Sequence, residues 1–142
     1  MKFPFSVKIN SEEDTARLAK EFSETLQGGE VVALNGNLGA GKTSFIKHLL
    51  RNFEIDNVSS PTFAIVNEYE GSLKVNHFDF YRINKVEELY DIGFEEYLTR
   101  DDTVTFIEWA DLQPEVLPHR RIEISFIVND DFTRDISFNK IP

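Results

Sequence analysis

The 142-residue chain predicts a mixed α/β fold from three observations. Val31 to Leu34 is a short continuous apolar run of the kind found in strands buried on both faces. A glycine-rich turn leads from it into an amphipathic helix, and β-type segments further on pair across turns of hairpin length. Taken in order, Phe3 to Ile9 alternates apolar and polar residues and predicts a half-buried strand. Ser11 reads as a helix N-cap, with Glu12, Glu13 and Asp14 placing negative charge in the first turn, where the free N–H groups and the helix dipole favour it. The helix follows Ala16, Leu18, Ala19, Phe22 and Leu26 and stops at Gly28 and Gly29. Glu30 to Asn35 is the buried strand. After Gly41, the spacing of Phe45, Ile46, Leu49, Leu50 and Phe53 predicts a second helix.

Beyond it, Phe63 to Tyr69 and Leu73 to Asp79 read as strands joined around Glu70, Gly71 and Ser72. Val86 to Leu98 predicts one or two short helices broken at Gly93, and Val104 to Glu108 a compact apolar strand. Ile122 to Val128 and Phe132 to Phe138 form a last hairpin around Asn129, Asp130 and Asp131. Neither a repeat nor a linker-like stretch interrupts this order, so residues 1–142 are expected to form one domain.

Composition narrows the function classes. Fifteen Lys and Arg face 25 Asp and Glu, a formal charge of -10, and there is no cysteine, so the core must stabilise the fold without disulfides. Thirteen Phe, four Tyr and one Trp supply it. A domain that grips nucleic acid needs a basic surface to release counterions. Here the only adjacent basic pair is Arg120 and Arg121, and residues 87–102 hold seven acids and one Arg. Direct binding of DNA or RNA is therefore disfavoured. The apolar runs are far shorter than the roughly 20 residues that span a bilayer, and MKFPFSVKIN lacks the apolar region of a secretory signal. The expectation is a cytoplasmic protein with no membrane partner.

The sharpest feature is Gly36, Asn37, Leu38, Gly39, Ala40, Gly41, Lys42, Thr43, which fits G-x-x-x-x-G-K-[ST] between the buried strand and the second helix. The glycines let successive N–H groups turn inward, and the N-terminus of the helix, continuing through Ser44, adds partial positive charge. Together they form a cradle for phosphate oxygens. Lys42 reaches phosphate, and the Thr43 hydroxyl suits Mg2+, which prefers oxygen ligands. The fold expected is thus P-loop NTPase-like: a mixed sheet with antiparallel hairpins, flanked by helices.

A cradle alone hydrolyses nothing, so acids at strand ends matter. Glu108 closes the Val104 to Ile107 strand where a Walker B acid would hold Mg2+ or orient water; the alternative is an acid pointing into solvent. Asp79 lies in His77, Phe78, Asp79, Phe80, Tyr81, Arg82. In extended geometry His77, Asp79 and Tyr81 share one face, either converging on the site or forming an ordinary amphipathic strand. Ser60, Pro61, Thr62 and Phe63 make a turn before a strand, where a hydroxyl can meet a nucleotide or metal. Trp109, the only Trp, follows Glu108 and reads as core or as a ligand contact. The acidic run Glu87 to Asp102 carries Leu89, Tyr90, Ile92, Phe94, Tyr97 and Leu98 among its acids and reads as a solvated face or a docking surface.

GNLGAGKTS, SPTF, HFDFYR and FIEWAD, in that order in a chain of this size, resemble the TsaE (YjeE-type) ATPases that take part in making threonylcarbamoyladenosine (t6A) at position 37 of bacterial tRNA. The resemblance implies an ATPase using ATP and Mg2+ alongside a TsaB and TsaD assembly. TsaD carries out the threonylcarbamoyl transfer, and tRNA is met only through the complex. It implies phosphate and metal positions at Lys42 and Thr43, the Walker B acid at Glu108, a functionally required neighbour at Trp109 and a second acid at Asp79. The segment around Ser11 and Thr15 corresponds to the region near the adenine. ATP binding would stabilise the docked form and hydrolysis release it, with basic surface on TsaD or TsaB facing residues 87–102. Two other readings compete: a small P-loop kinase, since Gly36, Gly39 and Gly41 also fit kinase spacing, and a nucleotide-gated binding module with little hydrolysis. The scattered arginines and short chain leave little for a kinase lid.

Overall fold

The computed structural model describes residues 1–37, 39–56 and 65–142. Their elements run β1 (Phe5–Ile9), α1 (Glu12–Ser23), β2 (Val31–Gly36), α2 (Lys42–Arg51), β3 (Val66–Glu70), β4 (Lys74–Asp79), α3 (Glu87–Asp91), α4 (Phe94–Tyr97), β5 (Thr103–Glu108), β6 (Arg121–Val128) and β7 (Arg134–Ile141). Seven strands make one sheet in the order β1-β7-β6-β2-β5-β4-β3. β2 pairs parallel with both β5 and β6, and β4 pairs parallel with β5. The β1/β7, β6/β7 and β3/β4 pairs are antiparallel. The expected mixed sheet with antiparallel additions is what forms.

β2 shows why its sequence is continuously apolar. Val32 and Leu34 point into the cluster under α1 and α2, and Val31 and Ala33 into the cluster under α3 and α4, so both faces are buried. On the first side Phe22 of α1, Phe45 of α2 and Phe138 of β7 interlock, with the Phe22 and Phe138 ring centroids 5.2 Å apart. On the second, Phe94 of α4 stands edge-on to Phe78 of β4 at 5.0 Å. Each ring removed from water contributes about 1.5–3 kcal/mol.

The helix ends follow local chemistry. Ser11 caps α1 by accepting from the Asp14 N–H at 3.1 Å, as its sequence position predicts. The helix stops at Ser23 instead of continuing to Leu26, because the Ser23 and Thr25 hydroxyls bond back to the Lys20 and Phe22 carbonyls and the last turn tightens. The helical segment after Val86 breaks at Gly93, which takes a left-handed φ of 74°.

Two strand expectations are corrected. β7 begins at Arg134, and Phe132 sits in the turn with φ 67° and 85% of its surface exposed. There Asp131 captures the Thr133 N–H and hydroxyl, so these groups do not join the ladder. Tyr81 does not continue β4 on the face of His77 and Asp79. Asp79 accepts from the Tyr81 N–H at 3.1 Å and starts a 3-10 turn over Phe80–Arg82. The expected strand residues Phe63 and Ala64, and the Ser60 to Phe63 turn, lie outside the described residues. Among the described residues no helix is long and apolar enough to cross a membrane.

Candidate functional site

Parallel pairing of β2, β4 and β5 brings their C-terminal ends to one edge of the sheet. Register places Glu108 beside Leu34 on one side and Asp79 on the other. From this edge β2 runs through Gly36 into the glycine turn. A Cβ on Gly36 would come within 2.8 Å of the Phe126 carbonyl, so no larger residue fits without a shift. Gly41 takes a left-handed φ of 100° as it enters α2. Among the described residues no side chain caps α2 and no acid lies in its first turn, so the positive end of the helix dipole faces the turn. In α1, by contrast, three acids crowd the same position. The Ala40 N–H closes the turn on the Asn37 carbonyl at 3.0 Å, while Leu38 lies outside the described residues.

Lys42 is 5% exposed, unusual for an ammonium. Its Nζ donates to the Gly36 carbonyl and stands 3.6 Å above the centroid of a Trp109 ring. Burial lowers its pKa, opposed by the carboxylates of Glu108, Asp111 and Asp79. Trp109 holds this place with a left-handed backbone, φ 58° and ψ 36°, costly for a bulky residue. Its outer side meets Tyr81 with ring centroids 5.0 Å apart.

The acids converge near Lys42. Thr43 Oγ1 donates to Glu108 Oε1 at 2.9 Å, and Glu108 Oε2 lies 2.6 Å from His77 Nε2. Glu108 does not point into solvent; it is buried. Asp79 is buried as well, and this burial raises its pKa despite the Tyr81 N–H bond and Arg82, whose Nε is 3.6 Å from Oδ2. Gly39, Ala40, Gly41, Lys42, Thr43, Ser44, Asp79, Glu108 and Trp109, with Tyr81 and Arg82, line one cavity of about 390 Å³. A larger cavity of about 490 Å³, lined by Gly28, Arg120 and Lys140 among others, opens at the other end of the parallel strands, away from this chemistry.

Most of the sequence-predicted residues therefore meet. Ser11 and Thr15 do not line the cavity. Ser11 caps α1, and the buried Thr15 hydroxyl donates to the Ser11 carbonyl at 3.2 Å. Their helix is nonetheless tied to the cradle through Glu12, which accepts from Ser44 Oγ at 3.0 Å and lies 2.8 Å from His48 Nε2. The His48 bond holds the Glu12 pKa below its usual value. Three features escaped the sequence reading: the His77–Glu108 contact, the Glu12 link, and Arg134. A Cβ on Gly41 would come within 3.3 Å of Arg134 Nη1, so the guanidinium packs against the loop. Hydrophobic pattern carries no sign of any of them, since all depend on strand register or on which helix starts face each other.

A buried strand, glycine turn and helix, with Lys42 and Thr43 facing an acid at the end of the adjacent parallel strand, define a P-loop fold of the nucleotide-binding type. Within that class the chain belongs to the TsaE family, whose model, described as threonylcarbamoyl adenosine biosynthesis protein TsaE, matches residues 9–136. The family is involved in the biosynthesis of threonylcarbamoyladenosine on tRNA. The chain is 38% identical over 129 residues to the tRNA threonylcarbamoyladenosine biosynthesis protein TsaE of Rickettsia felis, covering 89% of this chain and 74% of that protein. It is 38% identical over 131 residues to the Bacillus subtilis protein of the same description, covering 91% and 81%. The crystal structure of Bacillus subtilis YdiB superposes with a TM-score of 0.77 at 30% identity, covering 100% of this chain and 88% of that one.

Proposed function

We propose that the chain is a cytoplasmic Mg2+-dependent ATPase that serves t6A modification of tRNA by acting on a TsaB–TsaD complex and resetting it through hydrolysis. The observation that carries this reading is the Thr43–Glu108 pair at 2.9 Å, set beside a buried Lys42 at the start of α2, where the glycine turn meets the helix. The donor set fits the metal. A hydroxyl and a carboxylate are the oxygen ligands Mg2+ prefers, and it takes the rest of its shell from water and phosphate. Among the described residues no group of three or more His, Cys, Asp or Glu gathers as an all-protein cage. Thr43 and Glu108 would hold the ion, which when bound offsets the negative charge of the phosphate oxygens.

The chain's own groups take the other roles. The N–H groups of the turn and of Lys42, Thr43 and Ser44 bind phosphate, and the Lys42 ammonium, poised between Gly36 and Trp109, adds a fixed charge. Asp79, whose burial makes it a stronger base than an exposed aspartate, orients the attacking water. Trp109 and Tyr81 shield the Lys42 side of the cavity from solvent. The base end of ATP lies toward the start of α1, where the resemblance puts Ser11 and Thr15. The test is ATP hydrolysis measured with and without TsaB, TsaD and tRNA. Stimulation by the full mixture is expected; no stimulation would remove the coupled-ATPase reading.

A further inference from the structure

We infer that His77 is a positioning residue for Glu108: it holds one carboxylate oxygen so that the other is presented to Thr43 and the cradle. The inference rests on the ATPase reading above and names a residue that reading does not use. His77 has no exposed surface, and its Nε2 lies 2.6 Å from Glu108 Oε2, while Oε1 accepts from Thr43. Both oxygens of the buried acid are thus directed by neighbours on different elements, β4 on one side and α2 on the other. A carboxylate with only the Thr43 contact would be free to turn about its Cγ–Cδ bond.

Among the described residues the Glu108 contact is the imidazole's one hydrogen-bond contact. Its Nδ1 is buried with no hydrogen-bond partner among the described residues. A proton on Nδ1 would be stranded without an acceptor, so the tautomer that suits the site carries its hydrogen on Nε2 and donates it to Glu108. A histidine used only for packing would be an expensive choice here, because an apolar ring would fill the volume without a bare nitrogen. Side chains that orient metal-binding groups in this way typically contribute 10–100-fold to metal affinity or activity.

Because among the described residues only Nε2 has a partner, the function should transfer to glutamine, whose amide nitrogen reaches about as far, and not to methionine, which fills the space without a donor. The experiment compares wild type, His77→Met and His77→Gln in melting temperature, in kcat and KM for ATP, and in ADP affinity measured calorimetrically with EDTA and with Mg2+. Expected for His77→Met is unchanged ADP affinity in EDTA, with the Mg2+-dependent gain and kcat falling by about 10–100-fold. KM should change little, and His77→Gln should recover most of both losses. Should His77→Met fail to fold, His77→Asn replaces it, since its shorter amide reaches only where Nδ1 lies. Wild-type kcat and Mg2+ gain in the variant without the donor would overturn the inference. So would equal losses in the Met and Gln variants accompanied by equal drops in melting temperature, which would make His77 a packing residue. A wild-type protein that hydrolyses no ATP under any condition would sink the ATPase reading instead, and the Mg2+ gain in ADP affinity would still decide His77.

Discussion

The sheet is used in two different ways at its centre and at its edge. Under α1 and α2, Phe22, Phe45, Phe126 and Phe138 fill the space between helices and strands with packed aromatic rings. At the C-terminal ends of β4 and β5 and the start of α2, the chain buries Lys42, His77, Asp79 and Glu108 within one neighbourhood. The first region is what burial of apolar surface favours. In the second, burial opposes the charged forms of Lys42 and Asp79. A stretch of fold that disfavours its own charges is stable only because the rest over-determines it, which is the arrangement the proposed function calls for.

That contrast can be broken experimentally. The largest effect is expected in the apolar region: Phe22→Ala should cost about 3–5 kcal/mol of stability by opening a cavity, read from urea unfolding. Folded Phe22→Ala protein should keep its affinity for ATP. Lys42→Met reverses the pattern. Hydrolysis should fall by about 100-fold or more, as when a charge-stabilising donor is removed from other active sites. The melting temperature should stay level or rise, because a buried ammonium has gone. A clear drop in melting temperature would mean that the Gly36 and Trp109 contacts outweigh the burial cost.

Smaller effects sharpen the boundary between the regions. Ser11→Ala should lose about 1 kcal/mol, the worth of an N-cap, measured as a shift in the urea midpoint. An accompanying loss of ATP affinity would assign Ser11 the base-side role that the family resemblance implies. Asp79→Asn tests the electrostatics alone. Because the folded-state pKa of Asp79 is raised, its protonated form favours folding, and that contribution is lost as pH rises from the unfolded value near 3.8 through the folded one. The Asn variant should therefore be modestly more stable than wild type at pH 7, with the gap closing in acid. A gap that widened below pH 4 would contradict the assignment.

Legibility in the sequence followed the same division. The β2, glycine turn and α2 unit was readable because Val31 to Leu34, the glycines and the Phe45 to Leu50 spacing each carry a local signal. Lys42, Thr43, Asp79 and Glu108 could be named for the same reason. The end of α1 could not, since Ser23 and Thr25 compete for backbone carbonyls that pattern alone assigns to the helix. Tyr81 does not share the extended face of His77 and Asp79, because the Asp79 carboxylate bonds the Tyr81 N–H and turns the chain. The partner of His77 lay beyond reach altogether: it depends on β4 pairing in parallel with β5 in a register that sets Asp79 beside Glu108.

In the proposed function, the acid at the end of β5 works with the cradle to hydrolyse ATP. Glu108→Gln tests it most directly, because the amide keeps the shape of the carboxyl group and removes its charge. This variant should bind ATP with near-wild-type affinity and lose Mg2+-dependent hydrolysis, with or without TsaB, TsaD and tRNA. Wild-type hydrolysis by Glu108→Gln would contradict it.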